Sequence, residues 1–432
     1  MKVAETHEQI TLRAGMTPRG SVSVISSKSE LHRLIICACM AHGKTVITYN
    51  SSLSEDIQAT VSCLKALGAQ INISEKEITV EKPLDIRYIK DSLPKDTEIF
   101  CRESGSTARF LLPFVSLFCR RGAVMTGTGK LPSRPFSDLC TALSQKGAVF
   151  SSENMPIYIE KTAIPEGDFE ISGNISSQYL SGLLFVLPLC ENARIKLTTP
   201  LSSRGYVDMT IEAMGKFGVK VEEKNGIYTC RGKYTNADGI FHAGGDWSNS
   251  AFFLCAANSE KITVNGIDPH SLQPDRAVMK ILSDCGINVE FTQDSVSVTR
   301  CGEMLPLDIN VEDTPDLVPV LCVLAASAKG KSVLKNVQRL RFKESDRILA
   351  VCEMINALGG CAYSDGDNIY IEGTGTLAGG MVDGFGDHRI VMSAAIAAQF
   401  CTGDVTIKGA DAVSKSYPGF FDIFYSLTEE KQ

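Results

Sequence analysis

No apolar run in this sequence reaches the ~18 residues that a membrane-crossing helix requires, so a helical membrane protein is not expected. Positive charge is not in excess. Against 50 Asp and Glu stand 43 Lys and Arg, a net charge of −7, which leaves a nucleic-acid partner without its electrostatic footprint. The opening MKVAETHEQITLRAG lacks an apolar core behind its charges and is too acidic for a transit peptide, so no leader is expected and the cytoplasm is the expected compartment. There is no CxxC and no HExxH, and so no expected metal site. The 15 cysteines are odd in number and scattered through apolar runs, as at Cys37, Cys39, Cys190 and Cys322. That distribution suits buried thiols in a reducing compartment and argues against a disulfide framework. No G-x-G-x-x-G opens a helix after a strand, which excludes the usual dinucleotide fingerprint. Gly43-Lys44-Thr45 and Gly330-Lys331-Ser332 end like phosphate loops, but each lacks the glycine five residues earlier and precedes a strand.

What is present is a repeat. Six segments share one plan: a polar or glycine-rich turn, an apolar helix, a short strand, a polar loop, an amphipathic helix and two closing strands. The strands after the apolar helices begin near Lys44, Ala123, Ala193, Lys261, Lys331 and Asp404. The segments LIICACMA (34–41), ARFLLPFVSLF (108–118), YLSGLLFVLPLC (179–190), SAFFLCAA (250–257), LVPVLCVLAASA (317–328) and RIVMSAAIAAQF (389–400) are apolar nearly all round. Such helices are buried on every side. The second helices instead show one apolar face, as at Ile57, Val61, Leu64 and Leu67. Gly68, Gly147, Gly218, Gly286 and Gly359 follow them where a left-handed cap is wanted. The fold class is α/β, with six βαβαββ units, three per domain, around buried helices. The sixth copy lacks its closing strands, and the runs Gln9–Leu12 and Ser21–Ile25 are expected to supply them. The expected domains are 28–240, and 241–432 together with 1–27, with the active site in the cleft between them.

Every buried helix begins with a polar cluster. These are Ser27-Lys28-Ser29, Ser104-Gly105-Ser106-Thr107, Ser176-Ser177-Gln178, Asp246-Trp247-Ser248-Asn249, Thr314-Pro315-Asp316 and Gly386-Asp387-His388-Arg389. The bland reading is helix capping, and for Asp316 capping and proton handling start level. Helix N-termini also attract anions. Lys28, Arg33, Arg134, Lys343, Arg347, Arg389 and Lys415 stand at matching places. So many cations in an acidic chain suggest a ligand with more than one phosphate or carboxylate.

The stretches SKSELHR (27–33), ESGSTAR (103–109), TGTGKLPSRP (126–135), GNISSQYLSGLL (173–184), GGDWSNSAFFLCAA (244–257), DLVPVL (316–321), RFKESDR (341–347), GDHR (386–389) and SKSYPGF (414–420), in this order, resemble the 5-enolpyruvylshikimate-3-phosphate synthase family over essentially the whole chain. The resemblance implies a two-domain enolpyruvyl transferase fold. It implies small-molecule substrates, shikimate 3-phosphate and phosphoenolpyruvate, and no metal or organic cofactor; a monomer with no membrane or nucleic-acid partner is expected. By position, Lys28, Ser29, Arg33, Ser176, Ser177, Gln178, Ser203, Asp316 and Lys343 resemble the shikimate 3-phosphate ligands. Lys28, Gly105, Arg134, Gln178, Arg347, Arg389 and Lys415 resemble those of phosphoenolpyruvate. Asp316 matches the carboxylate at the 5-hydroxyl proton. Glu344 and Lys28 are both placed to protonate the methylene, and His388 to assist phosphate departure or orient Glu344. Arg204-Gly205-Tyr206 and Glu103-Ser104-Gly105-Ser106 depart from commoner family forms, and no contact is carried over to Arg339. The alternatives are the sister transferase acting on UDP-N-acetylglucosamine, disfavoured because the loop around Lys130 has no cysteine, and a non-catalytic repeat scaffold.

Overall fold

A computed structural model describes residues 8–235 and 239–428. Met1–His7, the start of the stretch read above for a leader, lie outside the described residues, as do the last residues of the C-terminal segment. The chain divides into two compact units. The central unit is Ser26–Ala243, and the terminal unit is Met1–Ile25 with Gly244–Gln432. Each has its own hydrophobic core.

The helices that read as apolar all round run over Lys28–Met40 (α1), Gly105–Phe118 (α2), Ser177–Val186 (α3), Trp247–Cys255 (α4), Val318–Ser327 (α5) and His388–Ala397 (α6). All ten residues of α5 and of α6 are buried. In α2, α3 and α4 the only residues not buried are Ser106, Gln178 and Ser248, each in the first turn. Burying a Leu, Ile, Val or Phe side chain contributes about 1.5–3 kcal/mol, and a helix that does so on every face has no side left for solvent. The outer helix Glu55–Ala66 buries Ile57, Val61 and Leu64 on one face only. The five glycines after the outer helices all have positive φ.

Each repeat's sheet follows one order. In Thr97–Phe100, Ala123–Thr126, Ile157–Lys161, Val149–Phe150 the first two strands are parallel and the last two form an antiparallel hairpin. Parallel neighbours need a crossover, and the buried helix supplies it. In the central unit the first repeat takes its opening strand from the far end of the segment, where Ile240–His242 runs parallel to Thr45–Thr48. The terminal unit corrects one expectation. Of the two N-terminal runs only Gln9–Leu12 joins the sixth repeat, antiparallel to Val405–Lys408. Gly20–Ser23 opens the fourth repeat instead, parallel to Ile262–Asn265. Among the described residues the sixth sheet therefore has three strands where the others have four.

Two prolines sit in buried helices. Pro319 lies in the first turn of α5, where a missing N–H costs nothing. Pro113 lies inside α2 and removes the donor that would reach the carbonyl of Arg109. Gly182 of α3 packs on that carbonyl, where a Cβ would come within 2.3 Å. The close approach sets α3 beside Arg109. Among the described residues no helix is long and apolar enough to cross a membrane, and all 15 cysteines are free thiols.

Candidate active site

The first N–H groups of a helix lack internal partners and its N-terminus carries partial positive charge. Five of the six buried helices meet this with a cap. Ser27, Ser104, Ser176, Asp246 and Asp387 accept from the N–H of Glu30, Thr107, Gln178, Asn249 and Arg389. The bland reading thus holds for those side chains. α5 is the exception: Leu317 occupies the N-cap position and no side chain caps it.

Asp316, just before it, is engaged by cations. Arg347 Nη1 donates to its Oδ1 at 2.7 Å, Arg389 Nη2 to its Oδ2 at 3.0 Å, and Lys343 Nζ lies 3.4 Å from Oδ1. Burial by itself raises the Asp316 carboxyl, but Arg389, Lys343 and Arg347 hold it well below the usual carboxylate range. Arg347 is 1% exposed and serves three carboxylates. Its Nη2 donates to Glu344 at 2.6 Å and its Nε to Asp387 at 2.8 Å. Burial opposes its charge, and Asp387, Glu344 and Asp316 more than restore it, leaving it above the ordinary arginine value. Ser345 Oγ also donates to Asp387, at 3.0 Å. His388 is buried, with Nδ1 4.0 Å from Asp387 Oδ1. Lys415 Nζ donates to the carbonyl of Gly386 at 2.8 Å, in the turn before α6. The terminal unit so gathers Asp316, Lys343, Glu344, Arg347, His388, Arg389 and Lys415 around two helix heads.

The central unit is wired differently. Lys28 Nζ donates to Asp56 at 2.8 Å. Arg33 is buried and gives Nε to Thr210 at 2.8 Å, Nη1 to the carbonyl of Ser29 at 2.6 Å and Nη2 to that of Tyr206 at 2.8 Å. With neutral partners, burial lowers it to about 10. His32, pushed down to about 3 by burial, stays neutral 2.7 Å from Thr60 Oγ1. Arg109 Nη1 donates to Gln178 Oε1 at 2.8 Å, and Gln178 Nε2 donates to Ser106 at 2.9 Å. The Arg109 guanidinium lies over Phe136 and Tyr179, so Gln178 is aimed by a rigid neighbour. Gly105 meets Arg134: a Cβ there would come within 2.5 Å of Nη1. Ser203 is buried in a left-handed conformation, φ 56°, just before the helix Arg204–Lys216. Ser177 is buried in the first turn of α3 beside the cap Ser176.

Several residues escaped the sequence reading. Asp387, inside GDHR, reads along the chain as the cap that it also is, and nothing local marks it as a partner of Arg347. Arg109 likewise lay inside ESGSTAR. Asp275 had no signal: it follows Pro274 in a short 3-10 turn, Pro274–Ala277, is 1% exposed, and accepts a hydrogen bond from Ser248 Oγ. Burial first, then Asp316, raise its carboxyl to about 7 against the pull of Arg389.

Six βαβαββ repeats with cations and carboxylates at the heads of buried helices define an enolpyruvyl-transferase type of architecture. Solved structures share it. EPSP synthase from Acinetobacter baumannii aligns with TM-score 0.78 at 23% identity, covering 98% of this chain and 100% of that one. The enolpyruvyl transferase NikO from Streptomyces tendae aligns with TM-score 0.71 at 16% identity, covering 96% of each. At these identities the likeness is one of fold. The family model described as EPSP synthase (3-phosphoshikimate 1-carboxyvinyltransferase) matches residues 13–424. A 3-phosphoshikimate 1-carboxyvinyltransferase of Clostridium perfringens is 39% identical over 415 residues, 95% of this chain and 96% of the relative. One from Methanocorpusculum labreanum is 38% identical over 405 residues, 93% and 94%. The chain belongs to the EPSP synthase family.

Proposed function

We propose that the protein transfers the enolpyruvyl group of phosphoenolpyruvate to the 5-hydroxyl of shikimate 3-phosphate and releases phosphate, a step of aromatic amino acid biosynthesis in the shikimate pathway. The observation that carries this reading is the Asp316 carboxylate held by Arg347, Arg389 and Lys343, with Glu344 on the same Arg347, at the one buried helix without a side-chain cap.

The chemistry asks for a base at a hydroxyl, an acid at a methylene, and cations for phosphate and carboxylate. Asp316 takes the 5-hydroxyl proton, with Lys343 beside it. Under three cations it is a weak base. An anionic ligand that draws Arg347, Arg389 and Lys343 toward itself raises the basicity of Asp316, which ties the base to its substrate. The methylene proton comes from Glu344 or from Lys28. His388 assists phosphate departure or orients Glu344. When the adduct collapses, the methylene proton returns to its donor and the carbon–oxygen bond to phosphate breaks. Arg134, packed on Gly105, joins Arg347, Arg389, Lys415, Lys28 and Gln178 in holding phosphoenolpyruvate. Ser29, Arg33, Ser176, Ser177, Gln178 and Ser203 offer donors to the shikimate phosphate and hydroxyls. The protein acts as a monomer in the cytoplasm; a larger species in sedimentation equilibrium would refute the monomer.

The test compares phosphate release from phosphoenolpyruvate with shikimate 3-phosphate, with UDP-N-acetylglucosamine, and with neither. Release with shikimate 3-phosphate alone is expected. Release with the UDP sugar, or no release in any arm, refutes the reading.

A further inference from the structure

A cavity of about 560 Å³ opens in the central unit, and none of the residues assigned above lines it. Its volume lies in the range of small-molecule sites. It is bounded by the loop after Thr45–Thr48, one face of the helix Glu55–Ala66 and the hairpin turn before Glu77–Lys82, with Arg102 at its edge. Lys65, Lys76 and Arg102 line it against the single carboxylate of Glu75, in a chain of net charge −7. Among the described residues none of these three cations forms an ion pair.

Arg102 is held there at a cost. Its φ is +50°, a left-handed conformation unfavourable for a residue with a Cβ. Its Nη1 donates to Gln58 Oε1 at 3.2 Å, and Gln58 Nε2 donates to the carbonyl of Leu53 at 3.1 Å. One amide thus fixes both the arginine and the loop. Ser51, Ser52 and Ser62 add hydroxyls to the wall. Three cations facing one carboxylate fit a dianion, and the hydroxyls and amide fit an oxygen-rich body.

We propose that this cavity is a second ligand site, for a small hydroxyl-bearing organic phosphate, and that its occupancy is felt at the loop carrying Arg134. The carbonyl of Arg102 accepts from Thr128 N at 2.7 Å, in the segment that leads to Arg134. The helix that presents Gln58 and Lys65 to the cavity also carries Asp56, the partner of Lys28. A phosphate drawn to Arg102 therefore pulls on two elements that hold residues assigned to phosphoenolpyruvate.

Isothermal titration calorimetry with glucose 6-phosphate, and with glucose as the uncharged control, tests the site. The variant is Lys65→Glu with Lys76→Glu. Both side chains are exposed, and circular dichroism checks that the fold is kept. Glucose 6-phosphate binds the unaltered protein saturably and glucose does not. The double reversal weakens binding about ten-fold or more while leaving kcat/KM without the sugar phosphate unchanged. Bound glucose 6-phosphate shifts the KM for phosphoenolpyruvate about five-fold in the unaltered protein, and not in the variant. Absence of saturable binding, or equal binding by the variant, overturns the site. Binding that leaves KM unmoved overturns the coupling. Calorimetry needs no turnover, so failure of the activity proposed above would be seen separately.

Discussion

Arg347 in the terminal unit and Arg33 in the central unit are buried alike, 1% and 2% exposed. Their partners differ. Arg347 faces Asp387, Asp316 and Glu344, whereas Arg33 faces a threonine hydroxyl and two carbonyls. Burial disfavours the charge of both. Carboxylates reverse that for Arg347 and neutral oxygens do not for Arg33, so the two are displaced in opposite directions. One repeat plan therefore supports two kinds of helix head. The terminal unit gathers carboxylates around shared cations, which hold Asp316 and Asp387 below the usual carboxylate range, a setting for proton transfer. The central unit presents cations, hydroxyls and amides with few acids, a setting for holding a ligand's oxygens.

The largest effect expected from this contrast is catalytic. Asp316→Asn keeps size and some hydrogen bonding but takes no proton, so turnover should fall roughly 10²- to 10⁴-fold. Shikimate 3-phosphate binding by calorimetry should stay within a few-fold. Near-normal turnover would remove Asp316 from the mechanism and return it to a structural role.

Next comes stability. Arg347→Met strands buried Asp387 without its counter-charge, which costs about 3–5 kcal/mol. Arg33→Met leaves only neutral groups without their donor, at about 1–3 kcal/mol. Urea unfolding of both variants measures the difference, and equal losses would break the comparison.

A third test uses pH. The Asp275 carboxyl, raised to about 7, binds its proton more tightly folded than unfolded. Its contribution is fully present below about pH 4 and is lost as the pH rises through about 7. Asp275→Asn should flatten that dependence by roughly 2–4 kcal/mol between pH 4 and 8, read from denaturation midpoints. Parallel curves for both proteins would exclude Asp275 as the titrating group.

The smallest effect concerns Gly105. In Gly105→Ala the new methyl displaces the Arg134 guanidinium. The KM for phosphoenolpyruvate should rise about ten-fold, with shikimate 3-phosphate affinity nearly unchanged. An equal loss for both ligands would detach Arg134 from phosphoenolpyruvate.

Much of the fold was legible because burial leaves a periodic record. The existence and burial of the helices α1 to α6 and the glycines closing the outer helices could be read from the pattern, but the helix ends could not: the run 179–190 is α-helical only to Val186, and the helix of the run 34–41 already begins at Lys28. Strand pairing was less legible. Gln9–Leu12 and Gly20–Ser23 look alike as short alternating runs, and nothing local says that one serves the sixth repeat and the other the fourth. The site shows the same limit. Lys343, Glu344 and Arg347 announce themselves by charge density, yet Asp387 and Asp275 read as an ordinary cap and an ordinary loop acid.

By itself the sequence determined the repeat, the buried helices and the residue types at their heads, because hydrophobic periodicity and capping act over a few neighbouring positions. Only the tertiary structure decided the rest: that Asp316 is the head residue claimed by cations, that Arg347 joins three carboxylates drawn from positions 316, 344 and 387, and that Arg134 needs a glycine at 105. Those outcomes depend on Coulomb interactions and close packing between segments far apart in the chain. Such forces act over a few ångströms of space, and spacing along the sequence does not record them.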